Sequence, residues 1–269
     1  AIIIPIDPSD IEALATTLAQ HKVEAIAVAF LNAYANPQHE QIVTRELMRL
    51  LPGVYVTAAT ALTGEWYEYE RTSTAIANAY VGARMQDYIT GFDDRLRARN
   101  FQGAFYMMGS NGGVLSVDRT LEQPVALVES GPIGGCIGAA VYAREMGLSR
   151  DIAYDMGGPT AKCAQIQDGQ IDIQPIYYVS GYEHGFPLRT AVLDIVEVGA
   201  GGGSIAAVDA QSRLSVGPRS AGSEPGPVAY GLGGMEPTVT DANLVLGRIS
   251  DKAFLGGKLP LDRNAAALA

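Results

Sequence analysis

Several functional classes need features that this chain has little of. Two cysteines in 269 residues, Cys136 and Cys163, both in apolar glycine-rich stretches, are too few for a disulfide framework. They read as buried thiols of a reducing compartment. The three histidines, His21, His39 and His184, lie far apart and follow no metal-ligand spacing. Basic residues are scarce: 19 Lys and Arg stand against 29 Asp and Glu, a formal net charge of −10. That balance removes the broad positive surface that binding of a phosphate backbone requires, so nucleic acid is not an expected partner. No apolar run reaches the roughly 18 residues of a membrane span. The longest, VEAIAVAFLNAYA, is interrupted by glutamate and asparagine, so no membrane association is expected. A Gly-X-Ser-X-Gly nucleophile elbow is missing too, which leaves ester hydrolysis without support. The opening AIIIPIDPSD carries neither an initiator methionine nor a basic leader and reads directly as a strand. A cytoplasmic piece of a longer polypeptide is the expectation.

What remains is ample material for folding. A hydrophobic fraction of 48% with 18% charged residues fills one or two cores, and the length suits a two-lobed body. The stretch DPSDIEALATTLAQHK, residues 7–22, reads as a helix with Asp7 as cap, Pro8 in the first position, Asp10 at the positive end, and Ile11, Leu14 and Leu18 on one face. A buried strand follows in VEAIAVAFL. A second helix begins at NPQHE with Asn36 as cap and stops at Pro52-Gly53 before the strand VYVTA. From about Trp66 to Asn100 runs the longest helical pattern, with Met85, Tyr88, Ile89, Phe92 and Leu96 at three- and four-residue spacings. Glu68, Glu70 and Arg71 at its start read as an ion-paired helix beginning.

Beyond a strand and the glycine loop MGSNGGVLS, the texture changes. SGPIGGCIGAAVYAREMG reads as a helix whose small residues permit close backbone contact, and it predicts a crowded interface. Strands starting at Ile152 and Ala161 then form a hairpin, with a second turn at QDGQ. Alternating strands and helices followed by antiparallel strands predict an α/β, mixed-sheet architecture. The lobe boundary is expected near Met146–Asp151, giving a first lobe over 1–148 and a second over 149–269.

The turn DMGGPT carries the chemistry of interest. A glycine pair between two strands lets backbone N–H groups converge on an anion with no side chain in the way. A carboxylate just before it, Asp155, can bind hydrated Mg²⁺ that bridges to phosphate oxygens, and Thr160 adds a hydroxyl. Asp-X-Gly-Gly also occurs in ordinary hairpins, so the motif alone leaves both readings open. The run GAGGGS, Gly199 to Ser204, offers further amides or a flexible turn. Ser110 and Asn111 in GSNGG are a turn or a substrate contact. Asp241 and Asn243 in TDAN are a helix cap or a polar site contact.

The order of small-residue helix, strand and acidic glycine turn resembles the Hsp70, actin and sugar-kinase ATPase superfamily. More closely, NPQHE, EYERTSTAIANAY, MGSNGGVLS, SGPIGGCIGAA, DMGGPTAKCAQI, LDIVEVGAGGGSIA, VGPRSAGSEPGPVAYG and TDANLVLGRI occur in the order seen in the hydantoinase A / 5-oxoprolinase family. The resemblance implies a two-lobed actin-like ATPase fold and ATP- and Mg²⁺-dependent opening of a small cyclic amide. It also implies a hydantoinase B type partner subunit. Under it, Asp155 holds the metal and, with Thr160, serves phosphoryl transfer. Gly157, Gly158, Gly199, Gly201, Gly202, Gly203 and Ser204 line the nucleotide, and Ser110, Asn111 and Asp241 face the substrate. Acetone and acetophenone carboxylases, which resemble this family, make carboxylation the alternative, and a nucleotide-binding or assembly module without chemistry a third reading. Two departures stand out. Pro159 replaces the threonine that usually follows the glycine pair, removing an amide donor. The family's first Asp-X-Gly-Gly-Thr turn is absent, so the chain reads as the central part of a subunit with little or no ATP hydrolysis of its own.

Overall fold

The computed structural model describes residues 2 and 4–269. In chain order the first elements are helix α1 (Pro8–Gln20), strand β1 (Ala25–Val28), α2 (Gln38–Leu50), β2 (Tyr55–Ala58), α3 (Ala59–Leu62) and α4 (Glu68–Ala98). Strands β3 (Tyr106–Met108) and β4 (Val114–Ser116), helix α5 (Val117–Glu122) and α6 (Ser130–Glu145) follow. The rest is mainly sheet: β5 (Arg150–Met156), β6 (Ala161–Gln167), β7 (Ile173–Gln174), β8 (Tyr177–Val179), β9 (Phe186–Leu188) and β10 (Val192–Leu193), then β11 (Val196–Val198), β12 (Ser204–Val208) and β13 (Leu214–Ser220). Helices α7 (Val239–Val245) and α8 (Arg263–Leu268) close the chain. The architecture is α/β, and among the described residues the expected mixed sheets are instead one parallel pair, β1-β2, beside separate antiparallel sheets. The strand expected at the very start falls partly on Ala1 and Ile3, outside the described residues; Ile2 and residues 4–7 form no strand.

Two compact units emerge, residues 1–134 with 173–193, and residues 135–172 with 194–269. The division therefore falls inside α6 rather than near residue 148, and a segment of the second half returns to the first unit. That return is fixed by hydrogen bonds: Arg189 N donates to Thr74 Oγ1 (2.7 Å) and Leu193 N to the Ser110 carbonyl (2.9 Å).

In the first unit, Asp7 caps α1 by accepting from Ser9 N (2.9 Å), and Pro8 occupies the first turn as its fixed φ and missing N–H allow. Ile11 and Ala15 turn inward to meet Val28, Val43, Leu47, Leu51 and Val56, while Leu14 stays exposed. Strands β1 and β2 pair in parallel, Ala25 with Tyr55 through Val28 with Ala58, joined through α2. Pro37, not Asn36, occupies the cap position of α2, though Asn36 Oδ1 still accepts from Gln38 N at 3.2 Å.

Helix α4 is buried by an unexpected set of residues. Of the apolar series predicted for it only Ile89 is buried; Tyr88 and Phe92 reach the surface. Its N-terminal half buries Arg71, Thr74, Ala75, Asn78 and Ala79 instead. Asn78 accepts from Val125 N (3.0 Å) and donates toward Thr57 Oγ1 and the Glu122 carbonyl, both at 3.1 Å. Tyr55 donates to the Leu121 carbonyl (2.9 Å), and burial pushes its hydroxyl up to about 12. The Tyr55 ring lies where a Cβ at Gly82 would stand, which accounts for that glycine.

The second unit is built on a three-stranded antiparallel sheet in the order β11-β6-β5. Cys136, Ala140 and Ala143 of α6 pack on Ala153, Ala164 and Ile166 of this sheet. The crowding predicted for the α6 glycines is not found: a Cβ at Gly131, Gly134, Gly135 or Gly138 would meet nothing within 4 Å. Close packing is made by cysteine and alanines on the opposite stripe. A smaller core of Ala229, Leu244, Leu261 and Ala266 joins α7 and α8.

Candidate functional site

Alternating apolar residues on either side of Gly157–Thr160 fold β5 and β6 into a hairpin, in register from Arg150–Gln167 to Met156–Ala161. At its tip Gly157 N donates to the Thr160 carbonyl (2.9 Å), leaving Gly158 and Pro159 as the projecting pair. Gly158 N and the Thr160 hydroxyl have no acceptor or donor among the described residues. Asp155 is exposed one step below the tip and makes no hydrogen bond or ion pair among the described residues. Its charge is felt nearby: burial first, then Asp155, then Cys163 push the Cys136 thiol up from its ordinary range.

Neither Gly157 nor Gly158 has a positive φ. A Cβ on Gly158 would meet nothing within 4 Å, and one on Gly157 would make only an ordinary 3.5 Å contact with the Thr160 carbonyl. Backbone conformation and internal packing therefore do not demand glycine at either position.

The 199–204 loop behaves in the opposite way. Gly202 N donates to the Gly157 carbonyl (2.9 Å) and Gly203 N to the Gly158 carbonyl (2.8 Å), while Gly201 N donates to Ser204 Oγ (2.8 Å). Thr240 donates through N and Oγ1 to the Gly202 carbonyl, at 2.8 and 2.9 Å. A Cβ on Gly201 would overlap the Gly158 carbonyl and stand 2.5 Å from Thr160 N. The run of exposed amides expected at Gly201, Gly202, Gly203 and Ser204 is thus corrected: these residues brace the hairpin tip from behind, and their donors are engaged within the chain. Gly199 remains exposed with open space at its Cβ position.

The three expected substrate contacts fare differently. Asp241 is buried and its carboxylate accepts from Ala229 N (2.7 Å), Val228 N (3.2 Å), Thr238 N (2.8 Å) and Thr238 Oγ1 (2.8 Å). It forms a capping box with Thr238, the cap of α7, and its carboxylate is turned inward onto the chain's own donors, away from solvent. Ser110, in the first unit, is also buried. Its hydroxyl lies 2.7 and 2.6 Å from the Ala126 and Val128 carbonyls, so it fastens its loop rather than facing solvent. Asn111 is exposed and uses Oδ1 to close a turn on Gly113 N (2.9 Å), with its amide nitrogen outward-bonded to nothing described.

The motif reading passed over two features. Lys162 stands directly across the ladder from Asp155, a position that follows from any hairpin with Gly158-Pro159 at its tip. In the first unit, Arg71 and Glu40 form a fully buried pair at 3.3 Å. Among the described residues no group of three or more His, Cys, Asp or Glu could hold a metal, and no helix is long and apolar enough to cross a membrane. A magnesium held through one carboxylate, water and phosphate needs no such group.

An α/β chain with an acidic hairpin tip backed by a glycine loop has known relatives. The hydantoinase/oxoprolinase family model matches residues 71–269, and the model for the N-terminal region of the same family matches 1–51. The chain belongs to the hydantoinase/oxoprolinase family. Caprolactamase subunit alpha of Pseudomonas jessenii is 37% identical over 262 residues, covering 97% of this chain and 37% of the relative. The acetophenone carboxylase gamma subunit of Aromatoleum aromaticum is 36% identical over 277 residues, covering 99% and 36%. A crystal structure of the ATP-dependent caprolactamase from Pseudomonas jessenii superposes with a TM-score of 0.76 at 35% identity, over 99% of this chain and 38% of that one. The chain thus spans little more than a third of the length of these relatives.

Proposed function

We propose that this chain supplies one side of the ATP site in an enzyme that opens a cyclic amide of the hydantoin or 5-oxoproline class, within an actin-like ATPase fold. The observation that carries this reading is the glycine pair of the hairpin tip. Where neither φ nor packing requires glycine, the remaining reason for two bare Cα atoms beside an unpartnered carboxylate is an approach from outside. The residues present fit one face of a magnesium-bound phosphate: Gly158 N and the Thr160 hydroxyl are donors, and Asp155 is the acceptor for metal-bound water. ATP would supply a phosphoryl group to the lactam oxygen, turning a poor electrophile into one that water can attack. The chain's own part is positioning and charge neutralisation.

Similarity to an ATP-dependent caprolactamase supports the cofactor and the lactam. The relatives are named as subunits, which supports a partner polypeptide, of the hydantoinase B type by resemblance. A second reading, ATP-coupled carboxylation of a ketone, is favoured by the comparable similarity to the acetophenone carboxylase subunit. In the assembled enzyme, stimulation of ATP turnover by a lactam, or instead by a ketone with bicarbonate, separates the two. A nucleotide-binding or assembly module without chemistry of its own is favoured by Pro159, which removes an amide donor from the turn.

The substitution Gly158→Ala tests the site. It should leave the melting temperature unchanged or slightly raised, since it restricts only the unfolded chain, while Mg-ATP binding measured by calorimetry falls by about tenfold or more as the methyl fills the phosphate seat. Undiminished binding would contradict the reading.

A further inference from the structure

We propose that Thr240 is a positioning residue of the hairpin site: acting through the glycine loop, it sets the direction in which the Gly158 amide points. The inference rests on the nucleotide reading above and deepens it by naming what holds that site in shape. Thr240 lies in α7, outside both glycine motifs, and is buried. Its N (2.8 Å) and Oγ1 (2.9 Å) both donate to the Gly202 carbonyl. A Cβ at Gly202 would stand 2.9 Å from that hydroxyl oxygen, so glycine at 202 is what admits the threonine.

Peptide planes carry the effect from Thr240 to the tip. In a trans peptide the carbonyl and the N–H of one plane point in opposite directions, so fixing one aims the other. The Gly157 carbonyl and the Gly158 N–H share a plane. That carbonyl accepts from Gly202 N at 2.9 Å, which turns the Gly158 N–H away from the loop, where it has no acceptor among the described residues. The Gly158 carbonyl is held in turn by Gly203 N at 2.8 Å. Gly203 N–H shares its own plane with the Gly202 carbonyl, the acceptor of both Thr240 donors, so Thr240 aims Gly203 N at the tip by the same geometry. From the far side Ala221 N donates to the Gly203 carbonyl at 2.8 Å. Asp241, the next residue, fastens the threonine's own turn by accepting from Ala229 N and Thr238 N. Hydrogen bonds linked in such a chain polarise one another, and a donor tilted off line weakens steeply. A backbone seat for phosphate therefore depends on the residue that fixes its planes.

Two measurements test this: amide hydrogen exchange of the chain without nucleotide, and calorimetric titration with Mg-ATP well below the melting temperature of each variant. Thr240→Val removes the hydroxyl and keeps the branched shape. It should speed exchange of the Gly202 and Gly203 amides by about tenfold, the scale of one hydrogen bond, and leave the β5–β6 ladder amides unchanged. Mg-ATP binding should weaken by about tenfold. Thr240→Ser should restore both. A merely structural threonine predicts instead that loop and ladder amides exchange faster together while the folded chain binds as before. Affinity of Thr240→Val equal to that of the unmodified chain, or Gly202 and Gly203 amides no faster than in the unmodified chain, overturns the Thr240 assignment while leaving the Asp155 site standing. No binding by the unmodified chain overturns both.

Discussion

Gly158 and Gly201 press against each other in space, yet they are glycine for different reasons. Gly201 has no room for a methyl because the Gly158 carbonyl and Thr160 N occupy it, whereas Gly158 has open space in front of it. Gly201→Ala should therefore force the tip and its brace apart, at a cost of about 1–3 kcal/mol by analogy with overpacked cores. Gly199→Ala, where nothing stands within 4 Å, should change stability by less than about 0.5 kcal/mol. Thermal melts of the two variants side by side check the contrast, and equal effects would contradict it. None of this could be read from GAGGGS alone. The composition announced a loop with little side-chain bulk, but whether the bare backbone faces a ligand or another strand of the same chain is decided by tertiary packing.

At the scale of elements, α4 shows where sequence patterning succeeds and where it stops. A long helix was legible from about Trp66 to Asn100, close to the observed Glu68–Ala98, because no proline interrupts the stretch. Its buried face was not, because arginine, threonine and asparagine read as solvent-facing residues. Arg71 instead bonds the Phe30 carbonyl (3.1 Å) and reaches Glu40, 31 residues earlier in α2. Glu40 in turn accepts from Phe30 N (2.8 Å), Thr60 N (2.8 Å) and Thr60 Oγ1 (2.7 Å). The ion-paired helix start expected from Glu68 and Arg71 exists at 3.7 Å, but the partner that matters for burial was invisible without the fold. Arg71→Met should leave the Glu40 charge buried without a cation and cost about 3–5 kcal/mol. Adding Glu40→Leu should recover part of that loss, so the double variant costs less than the sum of the singles. Urea denaturation of the three variants measures this, and simple additivity would contradict the pairing.

Across the whole molecule, the hairpin order, the α/β class and the family were all legible, since alternating apolar runs around DMGGPT and the ordered motifs survive without any knowledge of contacts. The division into units was not. Strands β7 to β10 follow β6 in sequence but belong with the first unit, held by hydrogen bonds from Arg189 N to Thr74 and from Leu193 N to Ser110. Such returns depend on partners more than 80 residues away, which local pattern does not encode. The same holds for Ser110 and Asp241, whose polar side chains looked available and are engaged inside their own units. At the hairpin tip the groups left unengaged among the described residues are a carboxylate, one amide and a hydroxyl. The direct measurement is a calorimetric titration of Mg-ATP into the chain and into Asp155→Asn. The account predicts a saturable, magnesium-dependent heat for the chain and an affinity lower by about tenfold or more for the variant. Absence of heat in the first, or an unchanged affinity in the second, would contradict it.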